Sequence, residues 1–271
     1  MHTLILHSKN LDIATKMANI IGANFTSKST HFVFQIEQKI DIAPLRAEFE
    51  ADINYLPEFD FSQVALFVSD MDSTLINIEC IDEIADFANL KPQVAAITER
   101  AMQGELNFNT SLIRRVSLLK GLSVDVLNQV YSERLQLNTG GEKLLDFLQK
   151  RSIKTAVVSG GFSYFTKRLA QDFGLDYQRA NTLKIAAGSI TGSVDGAIID
   201  AVAKADFINE LGEKLQISKQ QIIAVGDGAN DLEMLAQAGL SVAYHAKPAV
   251  IKSANIVINH GGLDKIIDFF D

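Results

Sequence analysis

The sequence has little or none of several features that mark whole classes of protein. It has one cysteine, Cys80, among 271 residues, so no disulfide can form within the chain and a reducing cytoplasm is the expected location. No apolar run approaches the roughly 20 residues that a membrane span needs, and Met1–Ile5 is too short for the apolar part of a leader. Basic residues are outnumbered 25 to 33, and the resulting net charge of −8 argues against a nucleic-acid-binding surface.

What remains is the composition of an ordinary folded protein. Hydrophobic residues make up 47% of the chain, which is enough to build the core of one large domain or of two modest ones. An acidic protein can still bind phosphate esters, but only through a local site or a metal ion.

The first 60 residues differ in pattern from the rest. Apolar segments at Thr3–Leu6 and His31–Ile36 predict strands, and the spacing of apolar residues in Leu11–Ile21 and Ile42–Ala51 predicts helices. These elements would form a small α+β unit with no cluster of catalytic residue types. A regulatory or assembly role and a simple packing role are both open for this unit.

The strongest functional signal is the apolar run Val64–Val68, which predicts a strand buried on both faces. Asp70 and Asp72 follow it, at the point where an open α/β sheet places its ligands. One carboxylate could attack while the other handles a proton, and aspartate is a known nucleophile in phosphoryl transfer. Ser73 and Thr74 add hydroxyl and N–H donors for an anion. An ordinary strand-to-loop turn is the alternative for this stretch alone.

A second apolar strand, Thr155–Val158, is followed by Ser159 and Gly160. Glycines at such a position let backbone N–H groups approach an anion, and the serine adds a hydroxyl. Lys204 begins a later helix, and it gains a functional meaning only if the fold directs it inward. Glycine-rich turns after strands are common, so this signal is weak by itself.

A third strand, Ile222–Val225, is followed by Gly226–Asp231, a segment with two carboxylates, one amide and two glycines. This composition is hard to explain as a simple turn. Asp227 could join Asp70 around Mg²⁺, which prefers carboxylate and phosphate oxygens. Later apolar runs at Ser241–Tyr244 and Ile256–Ile258 predict strands that extend the sheet.

Residues 77–138 show helical periodicity and no convincing strand, which predicts a helical cap inserted after the first catalytic strand. A cap of this kind can exclude water and carry residues that select the substrate. Glu79 lies where the cap begins, and Arg115 lies on a helix that begins near Asn109. Arginine can bind a carboxylate through two parallel hydrogen bonds. By residue type alone, Glu79 and Arg115 are more typical of surface charges.

In combination, these strand ends resemble the haloacid dehalogenase (HAD) superfamily of Asp-nucleophile phosphohydrolases, and the resemblance covers about residues 64–271. The segments that most resemble its phosphoserine-hydrolysing members are Asp70–Glu79, Met102–Phe108, Arg115–Leu119, Ser159–Phe162 and Gly226–Asp231. The resemblance implies an α/β fold, with a Rossmann-like parallel sheet in residues 61–271 and a helical cap at about 77–138. It also implies that residues 1–60 are a small α+β unit similar to an ACT domain, but shorter by a strand.

The same resemblance implies Mg²⁺-dependent hydrolysis of O-phospho-L-serine through an aspartyl-phosphate, the last step of serine biosynthesis. Asp70 would be the nucleophile and Asp72 the general acid and base. The metal would be held by Asp70, Asp227 and the backbone carbonyl of Asp72, with Asp231 supporting these ligands. The implied substrate-binding residues are Glu79 for the ammonium group, Arg115 for the carboxylate, Met102 and Phe108 in the cap, and Ser159, Gly160, Lys204 and Asn230 around the phosphoryl group.

Two alternatives stay open. A related phosphatase or phosphotransferase acting on another small phosphorylated amino acid or alcohol would use the same residues. A non-catalytic amino-acid sensor would instead rely on the first 60 residues. The expected partner is a small-molecule substrate, with no nucleic acid and no membrane, and a homodimer is an open possibility.

Overall fold

The computed structural model describes residues 1–102 and 105–271, and of Met102 it describes only the backbone. The N-terminal unit is a four-stranded antiparallel sheet with two helices, in the strand order β2-β3-β1-β4. Its elements are β1 (His2–Leu6), α1 (Leu11–Ile21), β2 (Phe25–Ser27), β3 (Phe32–Ile36), α2 (Ala43–Phe49) and β4 (Ile53–Tyr55).

The N-terminal unit therefore has all six elements of a βαββαβ arrangement, and the expectation of a missing strand is wrong. The strands β2 and β4 have only three residues each, which is too short for alternation of apolar residues to be recognised in the sequence. The unit has its own core, in which the fully buried side chains include Leu4, Leu6, Met17, Phe34 and Ile53.

The second sheet has seven strands in the order β11-β10-β9-β5-β6-β7-β8. The strands are β5 (Leu66–Ser69), β6 (Lys154–Phe162), β7 (Tyr177–Ala186), β8 (Ser189–Asp195), β9 (Ile222–Gly226), β10 (Leu240–Tyr244) and β11 (Ile256–Ile258). All neighbouring pairs are parallel except the β7–β8 hairpin. This confirms the predicted α/β fold and puts β5 between β9 and β6.

In the part of the cap that the structure describes, four helices lie between β5 and β6: α3 (Cys80–Phe87), α4 (Lys91–Met102), α5 (Phe108–Leu118) and α6 (Asp125–Glu133). The chain enters and leaves the cap side by side, because Ile76 and Leu137 pair as an antiparallel bridge. The β7–β8 hairpin supports the cap from the sheet side, where Gly121 donates its N–H to the carbonyl of Ile190 at 2.8 Å.

The other helices cover both faces of the large sheet: α7 (Gly141–Lys150), α8 (Ser163–Phe173), α9 (Ala201–Leu215), α10 (Leu232–Ala236) and α11 (Pro248–Ser253). In β5, Leu66 and Val68 face a core shared with α9, α10 and α11, while Phe67 faces the core shared with α7 and α8. This alternation explains why β5 is an unbroken apolar run, since both of its faces are buried. Within the described residues, no helix has the length and apolar character to cross a membrane.

The N-terminal unit is joined to the edge of the large sheet by buried polar contacts. The side-chain amide of Asn54 donates to the carbonyl of Val257 in β11 at 2.9 Å and accepts from the N–H of Val257 at 3.0 Å. His7 Nδ1 lies 2.8 Å from the carboxylate of Asp268, and Thr30 donates to the same carboxylate. These contacts place the N-terminal unit against β11 and the C-terminal turn, Leu263–Phe270.

Candidate active site

The carboxyl ends of β6, β5 and β9 meet at one edge of the sheet, and the polar residues in or directly after these ends share a single pocket. Because β5 lies between the other two strands, Asp70 is flanked by Ser159 on one side and by Asp227 on the other. The cavity measures about 200 Å³ and is lined by Asp70, Asp72, Glu79, Ile81, Phe108, Leu112, Arg115, Ser159, Gly160, Gly161, Phe162, Asp227 and Asn230. The predicted crevice therefore exists.

Asp70 is held where β5 ends in a tight turn. The residue is 4% exposed, and its Oδ1 accepts a hydrogen bond from the N–H of Met71 at 2.7 Å. In the turn that follows, Ser73 adopts a φ of 56°, a left-handed conformation that is uncommon outside glycine. Burial, followed by the nearby charge of Asp231, raises the pKa of Asp70 well above its usual range. A cation is therefore needed beside Asp70 if it is to act as an anion.

Lys204 provides such a cation. Its side chain is 1% exposed, and its Nζ lies 2.7 Å from Oδ1 of Asp70 and 2.7 Å from Oδ1 of Asp231. Burial works to lower the pKa of Lys204, but the two carboxylates outweigh it and raise that pKa above its usual range. Helix α9, which carries Lys204, is capped by Asp200, whose Oδ1 accepts from the N–H of Ala203 at 3.1 Å.

Asp72 is bound on both of its oxygens. Oδ1 accepts from the backbone N–H of Cys80 at 2.8 Å, and Oδ2 accepts from the hydroxyl of Ser159 at 3.0 Å. Burial raises the pKa of Asp72, and the hydrogen bonds from Cys80 and Ser159 only partly offset it. A carboxyl group with a raised pKa can donate a proton to a leaving group, which suits a general acid.

The hydroxyls of Ser73 and Thr74 have a different role from the anion binding that the sequence suggested. Ser73 Oγ donates to Oε1 of Glu79 at 2.7 Å, and Thr74 Oγ1 donates to Oδ1 of Asp227 at 3.1 Å. Each hydroxyl orients a carboxylate that lines the pocket. Their contribution to the site is therefore indirect.

A group of carboxylates beside Lys204 is suited to a divalent cation. One oxygen from each of Asp70, Asp227 and Asp231 lies within 4.8 Å of the others. Asp231 is already engaged, since its Oδ2 accepts from the N–H groups of Asp227 and Gly228 at 3.1 Å each and its Oδ1 faces Lys204. Asp70 and Asp227 therefore have more free capacity to bind a metal than Asp231 has.

The chemistry of these donors is also suitable. Burial, followed by the charge of Asp231, raises the pKa of Asp227 to about 6. Carboxylate oxygens are hard ligands of the kind that Mg²⁺ prefers. The metal contact through the backbone carbonyl of Asp72 is what the resemblance implies, and the two side-chain oxygens of Asp72 accept hydrogen bonds from Cys80 and Ser159.

The cap forms the other side of the pocket. Phe108, at the start of α5, lies so close to the sheet side that a Cβ on Gly160 would come within 2.6 Å of its ring. Arg115, on the same helix, has a buried Nε with no hydrogen-bond partner among the residues described. Desolvation and the charge of Asp72 raise the pKa of Glu79 to about 7. The pocket thus has a cation and an acidic group that are not paired with each other.

Of the predicted site residues, Met102 has a side chain outside the described residues. Asn230 lines the pocket as predicted. Several pocket residues were not predicted, namely Ile81, Leu112, Gly161 and Phe162. Helical spacing could have identified Leu112, which lies between Phe108 and Arg115 on one face of α5. The need for Gly161 comes from a close approach, because a Cβ there would lie 2.5 Å from Oδ2 of Asp72.

The chain was compared with protein-family models and with known proteins. Residues 64–239 match the model of haloacid dehalogenase-like hydrolases. The phosphoserine phosphatase of Polaromonas sp. is 49% identical over 217 residues, which cover 78% of this chain and 92% of that protein. The phosphoserine phosphatase of Haemophilus influenzae is 42% identical and is matched along 97% of this chain and 87% of its own length.

A solved structure has the same fold as this chain. The HAD family hydrolase of Salmonella enterica serovar Typhi superimposes with a TM-score of 0.91 and 31% identity. The superposition covers 99% of this chain and 98% of that one, so it includes the N-terminal unit as well as the large sheet and the cap.

Proposed function

The chain belongs to the haloacid dehalogenase-like hydrolase family, and on that basis we propose that it hydrolyses O-phospho-L-serine to L-serine and phosphate. The observation that carries the proposal is that one pocket is lined both by Asp70, which lies 2.7 Å from Nζ of Lys204, and by Arg115, whose buried Nε has no hydrogen-bond partner among the described residues. The first pair suits phosphoryl transfer, and the arginine suits a carboxylate on the same substrate.

In the proposed reaction, a carboxylate oxygen of Asp70 attacks phosphorus and forms an aspartyl-phosphate. The bond from phosphorus to the serine oxygen breaks, and Asp72 gives that oxygen its proton. Asp72 then accepts a proton from a water molecule that attacks the aspartyl-phosphate, which releases phosphate and restores Asp70. Ser159 donates to Asp72 at 3.0 Å, so it keeps this carboxyl in one orientation through both steps.

Charge is the main obstacle to this chemistry, since a phosphate monoester carries nearly two negative charges at neutral pH. Lys204 supplies one positive charge at Asp70. We propose that Mg²⁺ is held by Asp70, Asp227 and the backbone carbonyl of Asp72. Asp231 would orient Asp227, because its carboxylate accepts a hydrogen bond from the backbone N–H of Asp227. When bound, the ion would neutralise the charge of the phosphoryl oxygens and help to stabilise the negative charge that develops in the transition state.

Substrate selection would come from the cap. Arg115 would bind the carboxylate of phosphoserine, and Glu79 would bind its ammonium group. Phe108 and the neighbouring Leu112 give the cavity an apolar wall, which helps to exclude water once the substrate is bound. Gly160 and Asn230 would contribute polar contacts around the phosphoryl group, as the resemblance implies.

The test is phosphate release from a panel of small phosphomonoesters, in Mg²⁺ and in chelator, for the wild type and Arg115→Ala. We expect a strong preference for L-phosphoserine that depends on Mg²⁺ and collapses in the variant. Equal turnover of sugar phosphates, unaffected by Arg115→Ala, would rule out the amino-acid substrate. Faster transfer to an added alcohol than to water would identify a phosphotransferase instead.

Three further points stay predictions. We propose a cytoplasmic location, which the single, unpaired and buried Cys80 supports. A homodimer is predicted only as an open possibility. Binding of serine by the N-terminal unit, with no hydrolysis by the whole chain, would favour the amino-acid sensor over the enzyme.

A further inference from the structure

The cap is attached through two segments that are tied to each other, the outgoing linker (residues 74–77) and the return linker (residues 136–139). The side-chain amide of Asn138 donates to the carbonyls of Thr74 and Ile76 at 2.8 and 2.9 Å. The outgoing linker continues directly from the turn that carries the proposed general acid. A movement of the return linker is therefore transmitted to the cap and to this turn.

The return linker is held from its other side by the 259–262 loop, which follows β11. The N–H of Leu263 donates to the carbonyl of Thr139 at 2.7 Å. A Cβ on Gly262 would lie only 2.4 Å from that same carbonyl oxygen, so the loop passes the linker too closely for any residue other than glycine at this position. The position of the 259–262 loop therefore limits where the return linker can lie.

The 259–262 loop is fixed by a residue of the N-terminal unit. The carboxylate of Asp52, which is 4% exposed, accepts hydrogen bonds from three successive N–H groups: Asn259 at 2.7 Å, His260 at 3.2 Å and Gly261 at 2.6 Å. A Cβ on Gly261 would come within 3.0 Å of this carboxylate. Three backbone N–H groups that converge in this way form an anion-binding site, and the carboxylate of Asp52, from the N-terminal unit, occupies it.

The neighbouring buried residue Asn54 contacts the large sheet in a different place. Its amide bonds to Val257 within β11, before the 259–262 loop begins. Asn54 is 1% exposed and Asp52 is 4% exposed, so the two are similarly buried at the same interface. Asn54 therefore joins the units without touching the loop, whereas Asp52 contacts the loop directly.

We propose that Asp52 is a positioning residue for the reaction described above: through the 259–262 loop, it sets the return linker and thereby the closed position of the cap. The N-terminal unit then forms part of the support for the cap. The expected kinetic effect rests on the proposed function. The link from Asp52 to the return linker does not, because it consists of contacts seen in the structure.

The first test compares Asp52→Asn with Asn54→Ala, measured on two substrates. Phosphoserine needs the cap residues, whereas para-nitrophenyl phosphate offers no carboxylate or ammonium group for them. We expect Asp52→Asn to raise KM for phosphoserine roughly 2- to 30-fold, the range typical of coupled positions, with little change in kcat/KM for para-nitrophenyl phosphate. Asn54→Ala should leave the ratio of the two kcat/KM values unchanged, even if it lowers the melting temperature equally.

The second measurement does not depend on activity. Hydrogen exchange of peptides that contain the return linker should become faster in Asp52→Asn and stay unchanged in Asn54→Ala. Gly261→Ala disturbs the same contact from the loop side, and it is combined with Lys265→Ala because its added Cβ would otherwise lie 2.5 Å from Cγ of Lys265. The double variant should act like Asp52→Asn, and it serves as the informative variant if Asp52→Asn does not fold. Unchanged exchange in folded Asp52→Asn, or equal effects in Asn54→Ala, would overturn the proposal.

These measurements also separate the two proposals from each other. If the wild type does not hydrolyse phosphoserine, the proposed function fails, while faster exchange in Asp52→Asn would still support the link to the return linker. If phosphoserine is hydrolysed and neither variant changes exchange or the substrate ratio, the role of Asp52 fails and the function stands.

Discussion

The two faces of the pocket are built in different ways. On the sheet face, Asp70, Asp72 and Asp231 each accept hydrogen bonds from the protein, and Lys204 bridges two of them. On the cap face, the Nε of Arg115 is buried without a partner in the described part of the chain. The sheet face is organised before a ligand arrives, whereas the cap face carries polar groups that a ligand can satisfy.

This difference separates chemistry from recognition. Preorganised charge lowers the energy of the transition state, so damage to the sheet face should appear mainly in kcat. Contacts that are made equally in the ground and transition states change KM and leave kcat nearly unaltered. The following substitutions test whether the two faces behave in these separate ways.

The largest effect is expected from Asp70→Asn, which removes the proposed nucleophile and keeps its shape. Turnover of phosphoserine should fall by about 10⁴-fold or more, because no aspartyl-phosphate can form. Calorimetry should show that phosphoserine still binds, since the cap face is intact. Loss of binding in parallel with loss of turnover would show that the two faces are not separable.

A smaller effect is expected from Gly161→Ala, which places a methyl group 2.5 Å from Oδ2 of Asp72. Displacement of this carboxyl by a fraction of an ångström should lower kcat by about 100-fold with little change in KM. Gly212→Ala, in helix α9, is the matched control, because the nearest atom to its added Cβ is the backbone oxygen of Ile217, 3.6 Å away. Steady-state kinetics of both variants would check this, and a control that is equally impaired would contradict it.

Arg115→Lys tests the cap face, since lysine keeps the charge and loses the planar fork. KM for phosphoserine should rise roughly 10- to 100-fold, corresponding to one or two lost charged hydrogen bonds, and kcat should change little. A drop in kcat as large as the rise in KM would place Arg115 among the groups that act in the transition state.

The smallest effect is a pH dependence that comes from Glu79. Because the pKa of Glu79 is raised to about 7, the carboxyl is mostly neutral below that pH and binds an ammonium group poorly. For phosphoserine, kcat/KM should therefore rise with pH through 7 and be about tenfold below its plateau at pH 6. Glu79→Gln, measured in the same buffers, should lose this rise of kcat/KM with pH. It should keep only the pH dependence that comes from ionisation of the substrate's phosphate group.

The sheet face was predictable from the sequence because its residues follow long apolar strands. The predicted strands Val64–Val68, Thr155–Val158 and Ile222–Val225 are almost wholly apolar, as strands buried on both faces are, and they identify the ends where ligands bind. The inward direction of Lys204 could not be read in the same way, because a lysine at a helix start is usually solvated. Here the carboxylates of two other segments hold it inside.

The contacts of the N-terminal unit were beyond sequence reasoning for a physical reason. Asp52 and Asn54 are ordinary polar residues at a strand of three residues, and nothing local shows that both become buried. Their partners lie more than 200 positions away, so their role depends on how the two units pack. Gly161 is similar, because its close approach to Asp72 exists only in the folded chain.

The amide of Asn54 has one more consequence, for the solubility of the protein over time. The large sheet ends at β11, whose residues Ile256–Ile258 are apolar, and an unpaired strand edge of this kind can recruit strands from other molecules. Asn54 bonds to both the N–H and the carbonyl of Val257, in the manner of a peptide group of an eighth strand. Asn54 thus pairs the outward-facing backbone groups of Val257, and together with the rest of the N-terminal unit it covers an edge that could otherwise pair with a strand of another molecule.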